Sequence, residues 1–391
     1  MSKLFTILCL GATLSAASAF AQISPSTDSQ SNLSGSGPVA YVYVASYPGN
    51  NEPNVIAGYS ASSKGALTPI PGSPFQQNVG SMAVNGKYLM AVNNSNPPDI
   101  DTLKIGSNGA LTYVTSTPCV QKGNSCLYVN NLFFDHTGSD LYVMESDGSN
   151  DNTASFAVEE SSGALNYLGD TITGSFPGDR TDTFFIGDNV YAYSADQDGC
   201  MYPGIYGFQR DSNGLLNSIN TQFNWPTPPP GVSIYYPDLT VADPNNNLAF
   251  LEQPTNAPEC AAGPLQIAVY TAHANGNIHT KSTYEDMPAT LIKSPNDMKM
   301  SPSGRLLAVA GEEGLQVFHF NGSKPVTHYT GLLTKEPISE MFWDNDNHLY
   351  AISSTAGELL VFTITPTTHQ KAQGSPYAIP GAQDIIVQPL K

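Results

Sequence analysis

The chain of 391 residues carries 33 Asp and Glu against 15 Lys and Arg, for a formal net charge of −18 at pH 7, and only 12% of its residues are charged. Binding to phosphate or to anionic lipid needs clustered Lys and Arg, so this balance argues against a nucleic-acid partner and against membrane surfaces. It suits cations, neutral sugars and basic partners. The 34 Gly and 30 Pro residues imply many tight turns, and no long helical periodicity runs through the chain.

The N-terminus reads as a secretory signal over residues 1–21. Lys3 supplies the positive start, residues 4–14 are mostly apolar, and Ala19-Phe20-Ala21 forms a small-x-small cleavage site before Gln22. Residues 22–38, rich in Ser, Gly, Asn and Gln, read as a flexible leader. A single folded domain is expected over residues 39–391. No other apolar run is long enough for a helical membrane span. The mature chain is therefore expected to be exported, secreted or periplasmic, with no membrane insertion.

One four-residue phrase then recurs seven times. The copies are Ser81-Met82-Ala83-Val84, Asn131-Leu132-Phe133-Phe134, Asp182-Thr183-Phe184-Phe185, Asp238-Leu239-Thr240-Val241, Asp297-Met298-Lys299-Met300, Glu340-Met341-Phe342-Trp343 and Asp384-Ile385-Ile386-Val387. Most are followed by a tight turn of the Asp-Pro-x-Gly kind and a second apolar strand, as in Ser301-Pro302-Ser303-Gly304 before Leu306-Leu307-Ala308-Val309. The spacing of 43 to 59 residues is that of a four-stranded propeller blade. Outer-strand phrases such as Gly65-Ala66-Leu67-Thr68 and Gly109-Ala110-Leu111-Thr112 place Gly where a hairpin needs positive φ. The fold class is thus all-β: a monomeric seven-bladed propeller of four-stranded antiparallel blades. Tyr41-Val42-Tyr43-Val44 lacks an inner strand before it, and Asp384-Ile385-Ile386-Val387 lacks a second strand after it. Pairing of the two would close the ring and remove its open edge.

Without Cys9 the chain keeps four cysteines, an even number in an oxidising compartment. Three pairings are open. Proximity favours Cys119 with Cys126 across a short loop, and Cys200 with Cys260 between loops of neighbouring blades.

The first column of the repeated phrase reads Ser81, Asn131, Asp182, Asp238, Asp297, Glu340, Asp384. In a closed ring these positions gather around one mouth of the central channel. Five carboxylates there would repel one another unless a counter-charge or proton uptake relieves them. A divalent cation, Ca²⁺ or Mg²⁺, bound at Asp182, Asp238, Asp297, Glu340 and Asp384 is one answer; a polar ligand contacting Asn131 as well is another. The alternative is that each side chain starts its strand by bonding backbone N–H groups. No cofactor is otherwise required. The loop Phe223-Asn224-Trp225-Pro226-Thr227-Pro228-Pro229-Pro230-Gly231 and the pair Tyr235-Tyr236 precede the fourth phrase, so Trp225, Tyr235 and Tyr236 are candidates for stacking on a sugar ring, or for packing on the blade rim. The seven histidines fall in turns and outer strands and read as exposed or edge positions.

The phrases Ser63-Lys64-Gly65-Ala66-Leu67-Thr68-Pro69-Ile70-Pro71-Gly72-Ser73-Pro74-Phe75 and Tyr41-Val42-Tyr43-Val44-Ala45 resemble the lactonase-type seven-bladed propellers. That family includes 6-phosphogluconolactonase-like proteins and propeller muconate cycloisomerases. The resemblance spans the whole mature domain and implies hydrolysis of a sugar lactone. Active members would carry His-x-His before an inner strand, where this chain has Tyr128 and Asn130, and Asp-Leu-Gly after the second strand, where it has Glu145-Ser146-Asp147. In the next blade Arg180 matches the family's Arg, Thr181 replaces its His, and Ala195 lies near its Glu. Arg180 is the catalytic candidate that the resemblance retains, as a contact for a substrate anion. The competing expectation is a non-catalytic extracytoplasmic propeller that binds a carbohydrate, a cation or a protein partner.

Overall fold

The computed structural model describes residues 37–49, 52–93, 95–121, 124–125, 128–146, 151–174, 182–196, 203–256 and 263–390. Seven antiparallel sheets, each with a path of four strands, form a ring, and no helix occurs among the described residues. The innermost strands are Val79–Val84, Tyr128–Phe134, Phe184–Phe185, Ile234–Ala242, Pro295–Met300, Glu340–Trp343 and Ala382–Pro389. Neighbouring inner strands touch around the axis, and between the second and third the contact is made by the rings of Phe133 and Phe185. Blades are numbered one to seven in that order. Each repeated phrase lies on an inner strand or, for Asp182-Thr183, at its head. Residues 1–36, with the expected signal and most of the leader, lie outside the described residues.

Blade seven is built from both ends of the chain. Ala40–Ser46 lies between Val55–Ala61 and Ala382–Pro389, with Val42 opposite Val387 and Tyr43 opposite Ile386. The apolar residues of Ala40–Ser46, Ile385 and Val387 are almost fully buried between blades six and seven or seven and one. The closing strand therefore satisfies backbone groups and seals two interblade cores at once.

Interblade packing also explains the Gly-Ala-Leu phrases. Tyr43 of blade seven donates to Gly109 O (2.7 Å), Tyr142 of blade two to Gly214 O (2.8 Å) and Tyr193 of blade three to Gly276 O (3.1 Å). Each buried phenol reaches the turn before the next blade's outer strand. Gly109 has φ of +82°, and a Cβ there would come within 2.7 Å of Tyr41 Cδ1. Only glycine meets both the turn and the close approach. Repeated sequence gives repeated structure elsewhere too. Gly72-Ser73-Pro74-Phe75 and Gly374-Ser375-Pro376-Tyr377 each carry a cis Ser-Pro bond. Ser73 Oγ and Ser375 Oγ accept from Gly58 N–H (2.8 Å) and Val361 N–H (2.9 Å).

Candidate functional site at the channel mouth

The first-column residues mark the end of the channel where the inner strands begin. The strand pairing shifts register beside this column in blades one, two, four and five. Such bulges re-aim side chains. A cavity of about 250 Å³ opens here. Ser81, Asn131, Asp182, Asp297, Glu340 and Asp384 line it, together with Lys299 and the amides of Asn130, Asn296 and Gln383. Beneath lies a more apolar chamber of about 220 Å³, walled by Leu132, Phe133, Phe184, Met298, Phe342 and Ile386, among others. Four of the five expected carboxylates thus meet in one cavity. Asp238 is not part of its lining. It sits at the blade-four bulge with Oδ2 unbonded, and burial pushes its carboxyl up to about 6.

The carboxylates also stitch blades together. Asp297 accepts from its own neighbour Met298 N–H (2.8 Å) and, across the seam, from Met341 N–H of blade six (2.8 Å). Glu340 Oε2 accepts from Ile385 N–H of blade seven (2.9 Å). Asn131 Oδ1 accepts from Leu132 N–H (2.7 Å). Bonding of backbone N–H groups at strand starts is therefore real, and for Asp297 and Glu340 it extends to the next blade.

The counter-charge within the cavity is a residue that the first-column reading missed. Lys299 Nζ lies 3.0 Å from Asp297 Oδ1. Burial opposes the Lys299 charge, but Asp297, Asp182 and Glu340 outweigh it and hold the ammonium above its ordinary value. Burial nevertheless raises Asp297, with the Lys299 ion pair offsetting part of the shift. Glu340 and Asp384 lie side by side in a carboxyl–carboxyl hydrogen bond. Burial, then the charge of Asp384, pushes Glu340 well above the usual carboxylate range. Burial raises Asp384 to about 6, against the lowering effect of the Glu340 hydrogen bond and two backbone N–H groups. The sequence signal for Lys299 was present: it is the one ionisable residue in a third column that otherwise reads Ala83, Phe133, Phe184, Thr240, Phe342 and Ile386.

The aromatic candidates go elsewhere. Trp225 packs edge-on against Phe223 at a centroid distance of 5.1 Å, and both lean on the core shared by blades three and four. Asn224 Nδ2 donates to Thr280 O (3.0 Å), and Thr227 N–H donates to Ser282 O (3.0 Å). These bonds pin the loop beside Ile278–Thr280, the outer strand of blade four. Trp225 is a rim residue, not a lid over the mouth. Tyr235 is fully buried and offers no face for stacking on a ligand; it joins the same core. Tyr236 is half-buried on the same inner strand. Arg180, Cys126, Cys200 and Cys260 lie outside the described residues. Cys119 is buried, with Sγ 3.4 Å from Glu145 Oε2.

At the opposite end of the channel, the expectation of exposed histidines fails for His348. It is fully buried, with Nδ1 2.7 Å from Asp344 Oδ2; Tyr350 donates to the same oxygen (2.9 Å) and His348 N–H to Asp344 Oδ1 (2.8 Å). Turn aspartates here are similarly bonded. Asp243 accepts from Asn245 N–H (2.9 Å) and Asn247 N–H (3.0 Å), and Asp135 from Asp140 N–H (2.9 Å) and Asn189 Nδ2 (2.9 Å).

The propeller fold is similar to that of several proteins of solved structure. A proposed 6-phosphogluconolactonase from Bacteroides uniformis superposes with a TM-score of 0.61 at 12% identity, covering 89% of this chain and 99% of its own. A second, from Bacteroides fragilis, gives 0.61 at 13%, covering 89% and 97%. A Lactobacillus plantarum protein of solved structure gives 0.63 at 13%, covering 89% and 99%. No family model and no curated protein matches the chain. At these identities the likeness establishes the fold.

Proposed function

We propose that the channel mouth is a small-molecule site that binds and hydrolyses a polyhydroxylated lactone. One observation carries this reading: an ammonium and two carboxyl groups bonded to each other share the lining of one polar cavity. Lactone opening needs a base for water, a donor for the leaving ring oxygen and positive charge for the oxyanion. Asp384 takes a proton from water as its oxygen bonds to the carbonyl carbon. Lys299 faces the charge that develops on the carbonyl oxygen. The acyl–oxygen bond breaks, and Glu340 gives its proton to the departing oxygen, so the pair ends with one proton as it began. Arg180, two residues before Asp182, is assigned to the carboxylate that forms.

The test is turnover of a panel of five- and six-membered sugar lactones. Glu340→Gln should lower kcat/KM by about 100-fold or more, and Arg180→Ala should abolish turnover. Polyol binding without hydrolysis of any lactone would favour the second reading, a non-catalytic binding propeller. The backbone bonds of Asp297 and Glu340 favour that reading, because they give these groups a structural task.

Export belongs to the same proposal. Mature protein beginning at Gln22, with Cys119–Cys126 and Cys200–Cys260 bridges in non-reducing peptide maps, is expected. Among the described residues no three His, Cys, Asp or Glu side chains gather as metal ligands. A divalent cation at the mouth would therefore be held through water, and would raise the melting temperature with the logarithm of its concentration.

A further inference from the structure

We infer that the channel mouth selects against phosphorylated and other anionic ligands, and takes a polyhydroxylated ring that is uncharged or, better, bears an amine. This rests on the mouth being the ligand site, as proposed above. Four carboxyl groups line the cavity, and Lys299 is its only cationic side chain among the described residues. That ammonium is already engaged. Its Nζ sits 3.0 Å from Asp297 Oδ1, and Asp182 and Glu340 add to the field that holds it. Asp297 is in turn fixed by the N–H groups of Met298 and Met341, so it cannot swing aside to release the lysine without breaking a blade seam. An incoming phosphate would find no uncommitted cation among the described residues there and would face net negative charge in a confined, partly desolvated space. Like charges within several ångströms under such screening weaken binding about tenfold or more. An ammonium group on the ligand meets the opposite field. The remaining lining, Ser81, Asn130, Asn131, Asn296, Ser339 and Gln383, offers neutral donors and acceptors suited to hydroxyl groups. The Asp297–Lys299 pair is therefore a specificity device: it keeps one ammonium beside the reacting carbonyl and, among the described residues, leaves no second cation for an anionic substituent on the ligand.

Three hydrolysis-stable probes test this on the full chain by calorimetry: a six-membered sugar lactam, its 6-phosphate and its 6-amino-6-deoxy form. The expected order of affinity is amine, then neutral, then phosphate, with about tenfold between steps at low salt and a narrower spread at high salt. Asp297→Asn should release Lys299 and raise affinity for the phosphate probe by about tenfold. Because that change also touches a blade seam, Lys299→Gln serves as the second variant: it leaves the backbone bonds of Asp297 in place and should tighten the amine probe and weaken the phosphate probe further. Tightest binding of the phosphate probe, lost in Arg180→Ala, would overturn the inference while keeping the mouth as the ligand site. Failure of all three probes to bind would overturn the site itself.

Discussion

Both ends of the channel are rich in aspartate, yet the two ends treat their carboxylates differently. At the turn end, Asp135, Asp243 and Asp344 are almost fully buried, and each is saturated by backbone N–H groups and side chains of its own turn or the adjacent one. At the mouth, Asp297 and Glu340 bond to backbone across seams, but together with Asp384 they also line an open cavity beside one ammonium. Saturated carboxylates hold a shape. Carboxylates with spare acceptors beside a cavity hold a shape and keep chemistry in reserve, at the expense of strong mutual coupling.

The largest effect should come from the turn end. Asp344→Ala removes the acceptor of Asp346 N–H (2.8 Å), His348 N–H (2.8 Å), His348 Nδ1 (2.7 Å) and Tyr350 Oη (2.9 Å), and leaves several of these groups buried without a partner. The expected loss is about 3–5 kcal/mol in urea unfolding, with affinity for a mouth ligand unchanged in the protein that remains folded. A loss below about 1 kcal/mol would erase the distinction between the two ends.

The mouth should instead show itself through pH. Asp384 and Asp238 are each pushed up to about 6, and Glu340 is raised well above its ordinary value, so the native state binds more protons than the unfolded chain between about pH 4 and the native values. Groups raised in this way stabilise the fold fully at low pH, and the stabilisation fades as pH rises through the native values. Unfolding free energy should thus fall by about 2 kcal/mol from pH 5 to pH 7.5, after allowing for solvent screening at the cavity. Glu340→Gln should flatten much of that slope. Stability that rises over the same interval would mean that the Glu340–Asp384 pair does not share a proton.

The ring and its closure were legible in the sequence because they rest on periodic signals: seven inner phrases, the Gly-Ala-Leu turns, and an orphan strand at each end. The gathering of Asp182, Asp297, Glu340 and Asp384 followed from the same alignment. The chemistry of the mouth was not legible in the same way. Lys299 stands out only when the third column is compared across blades, because a lone lysine in a strand ordinarily signals an exposed position. The shared proton of Glu340 and Asp384 depends on burial and on which seam each side chain crosses, and a column of residue types does not encode either. His348 was misjudged for a related reason. A turn position is usually wet, and only the partnership with Asp344 and Tyr350 allows it to be buried.

The smallest effect concerns Trp225, whose sequence context left open both stacking on a sugar ring and packing on the blade rim. Its ring is partly buried against Phe223 and the core between blades three and four, and its loop is bonded to Thr280 and Ser282 at the outer strand. Trp225→Ala should therefore cost about 1–2 kcal/mol, from an aromatic pair and some apolar area, without altering affinity for any of the lactam probes. The substitution separates rim from mouth cleanly, because the two roles move different measurements. A stacking residue would lose ligand affinity with little change in melting temperature; a rim residue does the reverse. If Trp225→Ala weakened probe binding by tenfold at unchanged stability, the loop would have to leave the outer strand and reach the axis in the bound state, and the contrast between a bonded periphery and a reactive centre would need redrawing.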